Sequence, residues 1–544
     1  MNTNRRDFAV TSAGVLLGLA VGQRGQGGVH DLVVRRGTLF DGTGSAGVEG
    51  DIAIAGGRIV EISRTVRGRG RDELDARGLA VAPGFVDLHS HGDGGLQEDP
   101  RGESLIRQGI TTIVVGQDGS SRAVSSAERR APGGQPDTFA ALFASIDGQR
   151  PAVNVASMIG LGTVRGRVVG NTDRPATPDE LRTMVGMVES ALAEGACGAS
   201  SGLEYTPGAF ASTEELIALC RPLAARGLPY ATHMRNEDDR LLDSIDESIA
   251  VARGAGCPLQ ISHLKTQGPR NWSKLDAVFA RVAAAARDGL DVMFDRYPYI
   301  AYATGLTNLF PVWSRDGGTD AFLARLAAPE TADRIRTETL AKVDLIGGWE
   351  NVHISSVRAA EDRAAEGKRL GSYARSISAD PYELTVAMLG RNRGSVGMVG
   401  FAMSEENLER ILSHPRGMVA SDGGAFAIEG PTRTGSPHPR GLGTFPRVLG
   451  RYVRERRALT LEQAIHKMTA LPASRIRLTD RGRLAPGHAA DVVVFDPATV
   501  ADRATFEAPF QYPDGIAAVV VNGVVALRDN HRAGGMTGQA VRAR

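Results

Sequence analysis

Two hydrophobic periodicities divide this chain. Near its start, Asp31–Asp41 (DLVVRRGTLFD) and Asp51–Glu61 (DIAIAGGRIVE) alternate apolar and polar positions, the period of two expected of half-buried strands. Glycine clusters separate them, so they read as hairpins. Near the other end, Asp491–Asp496 (DVVVFD) and Ile516–Val525 (IAAVVVNGVV) have the same character. The two ends are therefore expected to pair into one small β-sandwich domain, residues 29–82 with 478–544. Between them the pattern changes. Short apolar runs end in polar residues, as in Gly109–Gly116, Pro229–His233, Leu259–His263 and Val292–Asp295. Helix-period stretches fall among them, over Asp179–Glu194, Thr213–Arg226 and Asp239–Gly254. Repeated strand-then-helix units predict an α/β chain with a (β/α)8 TIM-type barrel over 83–477, with active groups at the C-terminal ends of its strands. Residues 305–385 are less regular and read as an insertion or lid. The Gly/Pro-rich stretches 129–136 and 430–443 read as loops.

Composition narrows this picture. The chain has 544 residues, 42% of them hydrophobic, enough for more than one structural unit. The 63 basic residues nearly balance the 62 acidic ones, so nothing points to nucleic acid or an anionic membrane as partner. Cys197, Cys220 and Cys257 show neither CxxC spacing nor an even-numbered framework, and read as buried or free thiols. The first residues stand apart: Arg5-Arg6-Asp7-Phe8 opens an apolar run to Val21, with a small-x-small site at Ala20-Val21-Gly22. That is the pattern of a twin-arginine signal peptide, which with a linker takes up residues 1–28. It implies the Tat export machinery as a partner and a periplasmic location. The run is too short and Gly-rich for a stable membrane span.

Chemistry enters at Ala82–His91 (APGFVDLHSH), where His89 and His91 alternate and can face one side as a pair of metal ligands. Asp118 directly follows an apolar strand and can ligate or bridge metals. His233 and His263 end two apolar runs one strand–helix repeat apart and form a second ligand pair. Asp422, in Ser421-Asp422-Gly423-Gly424, sits at a strand end before a tight turn, suited to touch a metal and exchange a proton with water. His438 is placed to line a substrate pocket; His30, His353, His414, His466, His488 and His531 have no matching context.

At this point the chain resembles the amidohydrolase superfamily and, within it, the D-aminoacylase (N-acyl-D-amino-acid deacylase) family, from about residue 31 to 535. The motifs that carry the likeness are the segment around His89 and His91, Gly202–Gly208 (GLEYTPG), Ala231–Arg235 (ATHMR), Ile261–Lys265 (ISHLK), Asp295–Tyr299 (DRYPY), Ser421–Gly424 (SDGG), and His438–Arg440 (HPR) with Gly443–Arg447 (GTFPR). The resemblance implies a metal-bearing barrel that hydrolyses a small-molecule linear amide, releasing a D-amino acid. It implies His89 and His91 at one metal position, His233 and His263 at the other, and Asp422 as general base and acid. It also implies Tyr205, Lys265, Tyr297 and Arg440 facing the substrate. One or two zinc ions are expected. Two departures bear on that. Asp118 stands where the family usually has a cysteine ligand, and its harder oxygen admits manganese or another divalent ion. Leu161 stands where the family commonly has a histidine. The other readings are a cyclic amidase of hydantoinase or dihydroorotase type, a D- or isoaspartyl-type dipeptidase, and a non-catalytic binding barrel. Many cyclic amidases bridge their metals with a carboxylated lysine, and no lysine occurs between His91 and His233.

Overall fold

A computed structural model describes residues 29–123 and 137–543. The signal sequence expected at 1–28 and the loop expected at 129–136 lie outside the described residues. At the centre are eight parallel strand positions. They are β1 (Phe85–Asp87), β2 (Ile110–Val115), β3 (Asn154–Ser157, resuming as Ile159–Gly160), β4 (Ala199–Gly202), β5 (Tyr230–His233), β6 (Leu259–Ile261), β7 (Val292–Arg296) and β8 (Gly417–Val419). β1 pairs with β2, and β2 with the first half of β3. The second half of β3 pairs with β4, and the series continues in order to β8. The ring closes just past the strand ends: Asp422 N–H donates to His89 C=O (2.8 Å) and His91 N–H donates to Gly423 C=O (2.9 Å). The closing residues are thus themselves the expected metal ligands.

Local chemistry explains the surrounding helices. Pro178–Ala193 starts with a capping box between Thr177 and Glu180, and Thr213–Ala224 starts with Ser212 accepting from Glu215 N–H. Met184, Val188, Ala191 and Leu192 share one face of the first helix and are buried against the outside of the barrel. Within the strands, alternation sorts inside from outside. In β5, Tyr230 joins the outer, helix-facing core while Ala231 joins a separate inner cluster with Val86, Val114 and Met418. His233 shares the parity of Ala231 and therefore points inward.

The two chain ends build one β unit. A single sheet runs through His531–Arg532, Val524–Arg528, Ile516–Val521, Val492–Phe495, Ala80–Pro83, Val29–Leu39, Val48–Ala55 and Arg58–Ser63, with Arg69–Asp75 pairing beside Val29–Leu39. Its C-terminal strands are apolar on both faces. Val492 and Val494 join a core shared with Leu32, Ile52 and Ile54, whereas Val493 and Phe495 pack on the barrel beside Phe85 and Phe445. The stretch read as irregular, 305–385, is mostly regular structure. It belongs to a longer segment between β7 and β8 with helices Gly318–Ala327, Pro329–Leu345 and Pro381–Arg391. A three-stranded antiparallel sheet (Ala301–Gly305, Gly397–Phe401, Val352–Ser356) anchors it. The loop expected at 430–443 gives way to helix from Arg440 onward. Among the described residues, no helix is long and apolar enough to cross a membrane. The three cysteines are buried and unpaired.

Candidate metal centre

The strand ends bring the six expected donors together at one mouth of the barrel. His89 and His91 follow β1, Asp118 follows β2, His233 ends β5, His263 follows β6 and Asp422 follows β8. Three of the six hold left-handed backbone: Asp118 (φ 51°), His263 (φ 36°) and Asp422 (φ 50°). Such non-glycine conformations are uncommon and concentrate where a side chain must be re-aimed. At His263 the consequence is visible. Simple alternation would put it on the outer face with Ile261, and the turn brings it inside instead. Close approach of β4 is needed too, because a Cβ on Gly202 would lie 2.2 Å from the Asp118 carbonyl oxygen.

Asp118 is the hub. Its Oδ1 lies 3.4 Å from His89 Nε2, and its Oδ2 lies 3.4 Å from His91 Nε2, 3.5 Å from His263 Nε2 and 3.8 Å from His233 Nδ1. Asp422 Oδ1 is 3.2 Å from His91 Nε2 and 3.6 Å from His89 Nε2. Two donor groups result, His89–His91–Asp118–Asp422 and Asp118–His233–His263, sharing Asp118. His89 Nε2 and Asp118 Oδ1, 3.4 Å apart, are both buried with no hydrogen-bond partner, while His89 Nδ1 faces Asp295 on the other side of the ring (3.5 Å). Buried polar atoms are normally satisfied, so two orphans that face each other fit a divalent cation between them. Electrostatics agree. Burial alone would push the imidazoles down, but the surrounding carboxylates outweigh it, holding His91 at about 9 and His233 at about 10. The cluster is rich in negative charge that a cation would neutralise.

The residues expected to face substrate divide. Tyr205 packs its ring 4.7 Å from that of His233, and the Tyr297 hydroxyl is buried without a partner. Both line a cavity of about 870 Å³ that opens from the donors toward the insertion. Lys265 and Arg440 line it as well, but neither is a free cation. Lys265 Nζ lies 2.6 Å from both carboxylate oxygens of Glu237 and 2.7 Å from His263 Nδ1. Arg440 Nη1 donates to Asp422 Oδ2 (2.6 Å), and its guanidinium lies 4.7 Å over the Tyr297 ring. His438 does not line the cavity. It accepts from the Arg440 backbone N–H (3.0 Å) and its Nε2 lies 3.0 Å from Ala301 C=O, so it fixes the base of Arg440. Leu161, buried at the start of helix Leu161–Val168, joins the apolar core.

Two carboxylates escaped the sequence reading. Glu204 Oε2 lies 3.3 Å from His233 Nε2 and accepts from Asn308 (2.9 Å). Glu237 Oε1 lies 3.1 Å from His263 Nδ1. Each sits behind a histidine whose other nitrogen faces Asp118, the arrangement that fixes the tautomer and aim of a metal-binding imidazole. Glu204 lies inside the GLEYTPG motif, and Glu237 four residues after His233. Those positions were the only signals available.

Comparison with known proteins accords with this geometry. The Amidohydrolase family profile matches residues 72–307 and 431–527. The chain is 38% identical over 515 residues to the N-acyl-D-glutamate deacylase of Alcaligenes xylosoxydans xylosoxydans, covering 93% of this chain and 96% of that one. It is 35% identical over 521 residues to the D-aminoacylase of the same organism, covering 94% and 97%. Among solved structures, the N-acyl-D-glutamate deacylase of Bordetella bronchiseptica, complexed with zinc and a phosphonate inhibitor, superposes with a TM-score of 0.81. It is 35% identical, covering 95% of this chain and all of that one.

Proposed function

Because this chain belongs to the amidohydrolase family, we propose that its barrel hydrolyses a linear amide, an N-acyl-D-amino acid, to a carboxylate and a free D-amino acid. The observation that carries the reading is the pair of donor groups joined through Asp118 at the mouth of a cavity sized for a small molecule. The residue shared by both groups is the one that would stand between two ions, and here it is an aspartate. That favours a linear over a cyclic amide, since many cyclic amidases bridge with a modified lysine.

His89, His91, Asp118, His233, His263 and Asp422 would hold one or two divalent ions, zinc first, with the oxygen donor of Asp118 also suiting manganese. Bound there, such an ion supplies a Lewis acid for the amide carbonyl and lowers the pKa of water. The chain's own residues do the rest. Burial opposes ionisation of Asp422, but Arg440 and the neighbouring histidines override it and hold the carboxyl well below its ordinary range. Asp422 is therefore ionised, with Oδ2 tied to Arg440 and Oδ1 turned toward His89 and His91. Oδ1 accepts a proton from the attacking water and returns it to the departing nitrogen. Tyr297, with its unpartnered hydroxyl, and Tyr205 orient the substrate beside these groups.

Export belongs to the same proposal. The Arg5-Arg6 pair and the apolar run after it support delivery to the periplasm by the twin-arginine route. Fractionation of cells expressing the full chain, against one with both arginines changed to lysine, tests that step. The activity is tested by amine release from matched N-acetyl-D- and N-acetyl-L-amino acids, with zinc or manganese supplied, beside hydantoin and dihydroorotate. Turnover confined to the D-series is expected. Silence on every acylated amino acid while metal is bound would overturn the deacylase reading.

A further inference from the structure

Four elements of the insertion converge on two neighbouring residues of the barrel mouth, Glu204 and Tyr205. From the strand Ala301–Gly305, Thr304 Oγ1 lies 3.3 Å from the Tyr205 hydroxyl. From the short helix Leu306–Leu309, Asn308 Nδ2 donates to Glu204 Oε2 (2.9 Å). From Val312–Arg315, Arg315 Nη2 donates to the Glu204 backbone carbonyl (3.0 Å). From Pro329–Leu345, Lys342 Nζ lies 4.0 Å from Glu204 Oε1. Both targets stand against one expected metal ligand. Glu204 Oε2 is 3.3 Å from His233 Nε2, and the Tyr205 ring packs on the His233 ring.

Lys342 reaches further. Its ammonium also pairs with the Asp238 carboxylate and donates to Gln267 Oε1 (3.2 Å). It thereby ties together the loops that follow β4, β5 and β6, the last two of which start from His233 and His263. Asp238 is buried and Lys342 mostly so, and removing one partner of such a pair leaves the other charge uncompensated. The insertion has an apolar core of its own, so it can keep its internal packing whether or not these polar contacts are made. A carboxylate behind a metal-binding imidazole sets the tautomer and aim of the ring. The insertion thus holds the group that aims His233. We propose that docking of the insertion and occupancy of the His233–His263 metal position stabilise each other, with Glu204 as the positioning residue between them and Lys342 as the clamp. An occupied His233 is fixed in place, a fixed His233 holds Glu204, and Glu204 receives the insertion. Linkage makes the effect equal in both directions. The proposal rests on the metal-centre reading of the donors and is independent of which amide is cleaved.

Charge alone argues for the opposite sign. Without the Lys342 ammonium, Glu204 and Asp238 are less neutralised and would draw a cation in more tightly. The direction of the change therefore separates positioning from electrostatics. The test uses the full chain, zinc and two readouts that need no turnover. Chelator competition gives the zinc dissociation constant, and amide hydrogen exchange reports how firmly helix Pro329–Leu345 is docked. Zinc is expected to slow exchange in that helix roughly 10-fold in the wild type. Lys342→Met should weaken zinc binding by about the same factor, and Lys342→Arg should restore part of it. In Glu204→Gln, zinc should no longer slow the exchange. Tighter or unchanged zinc binding in Lys342→Met, wild-type exchange that zinc does not alter, or protection that survives in Glu204→Gln overturns the proposal and leaves the deacylase reading standing. A wild type that binds no zinc removes the metal-centre reading together with the proposal. If Lys342→Met does not fold, wild-type exchange with and without zinc and its loss of zinc response in Glu204→Gln decide.

Discussion

Asp422 and Asp118 show how much a single carboxylate's setting decides. Both lie on left-handed backbone and both face histidine nitrogens, yet only Asp422 has an arginine on its second oxygen. Replacing Asp422 with Asn leaves His89, His91 and Asp118 to hold metal but removes the proton acceptor. Turnover should fall on the order of 10² to 10⁴-fold with metal content retained, as measured by amine release alongside elemental analysis. Substantial residual activity would show that Asp422 is not the base. Glu237 makes a different contribution, holding both Lys265 and the far nitrogen of His263. Glu237→Gln should weaken metal binding roughly 10- to 100-fold in a chelator competition. An unchanged dissociation constant would make Glu237 a partner of Lys265 alone. The histidines and Asp422 were legible in the sequence because each ends an apolar run. Glu204, Glu237 and Arg315 were not, because their meaning lies in partners 28 to 111 residues away. The pairings of Lys265 with Glu237, 28 residues away, and of Arg440 with Asp422, 18 away, were hidden likewise, and both residues were expected to face substrate.

The elements were legible wherever a period was unbroken. The helices read over Asp179–Glu194 and Thr213–Arg226 form as Pro178–Ala193 and Thr213–Ala224, because each has an oxygen-bearing cap and one apolar stripe. Thr177→Ala should cost about 1 kcal/mol in a denaturant titration, the usual worth of such a cap, with the catalytic constants unmoved. Close contacts between elements are a matter of geometry that composition does not carry. Gly202 at the end of β4 leaves room for the Asp118 carbonyl, with the Tyr205 ring on its other side. Gly202→Ala should therefore destabilise the fold by about 1–3 kcal/mol and loosen metal binding through Asp118. A variant with wild-type stability and metal content would show that β2 and β4 can separate without loss. The regular structure inside the insertion was not legible for a related reason. Its helices are stabilised by packing of Tyr302, Leu306, Phe322 and Ile335 into a separate core, and helix Pro329–Leu345 buries only a few positions. A weak stripe gives a weak period.

At the scale of the whole molecule, three apolar cores meet: the barrel with its helices, the β unit of both ends, and the insertion. Acid should find the last of these. His353 lies buried in the insertion's sheet, and burial, helped by Arg369, pushes its pKa down to about 4. Above about pH 6.5 it is neutral whether folded or unfolded; between there and about pH 4 the unfolded chain takes up a proton that the folded chain refuses. Stability should thus decline as pH falls through that window, by up to about 1.4 kcal/mol per unit from this group. His353→Gln should flatten that limb in thermal melts, and an unchanged limb would place the acid sensitivity elsewhere. The sequence by itself determined which segments of the barrel and of the terminal β unit are strands or helices, that both ends share one β unit, and which strand ends carry histidine and aspartate, because these follow from periodicity and turn chemistry. Only the tertiary structure decided that Asp118 joins the two donor groups, that Lys265 and Arg440 are already neutralised, and that Lys342 of the insertion reaches Glu204, Asp238 and Gln267. Those outcomes depend on distances between residues far apart in the chain, set by closure of the barrel and docking of the insertion on its mouth.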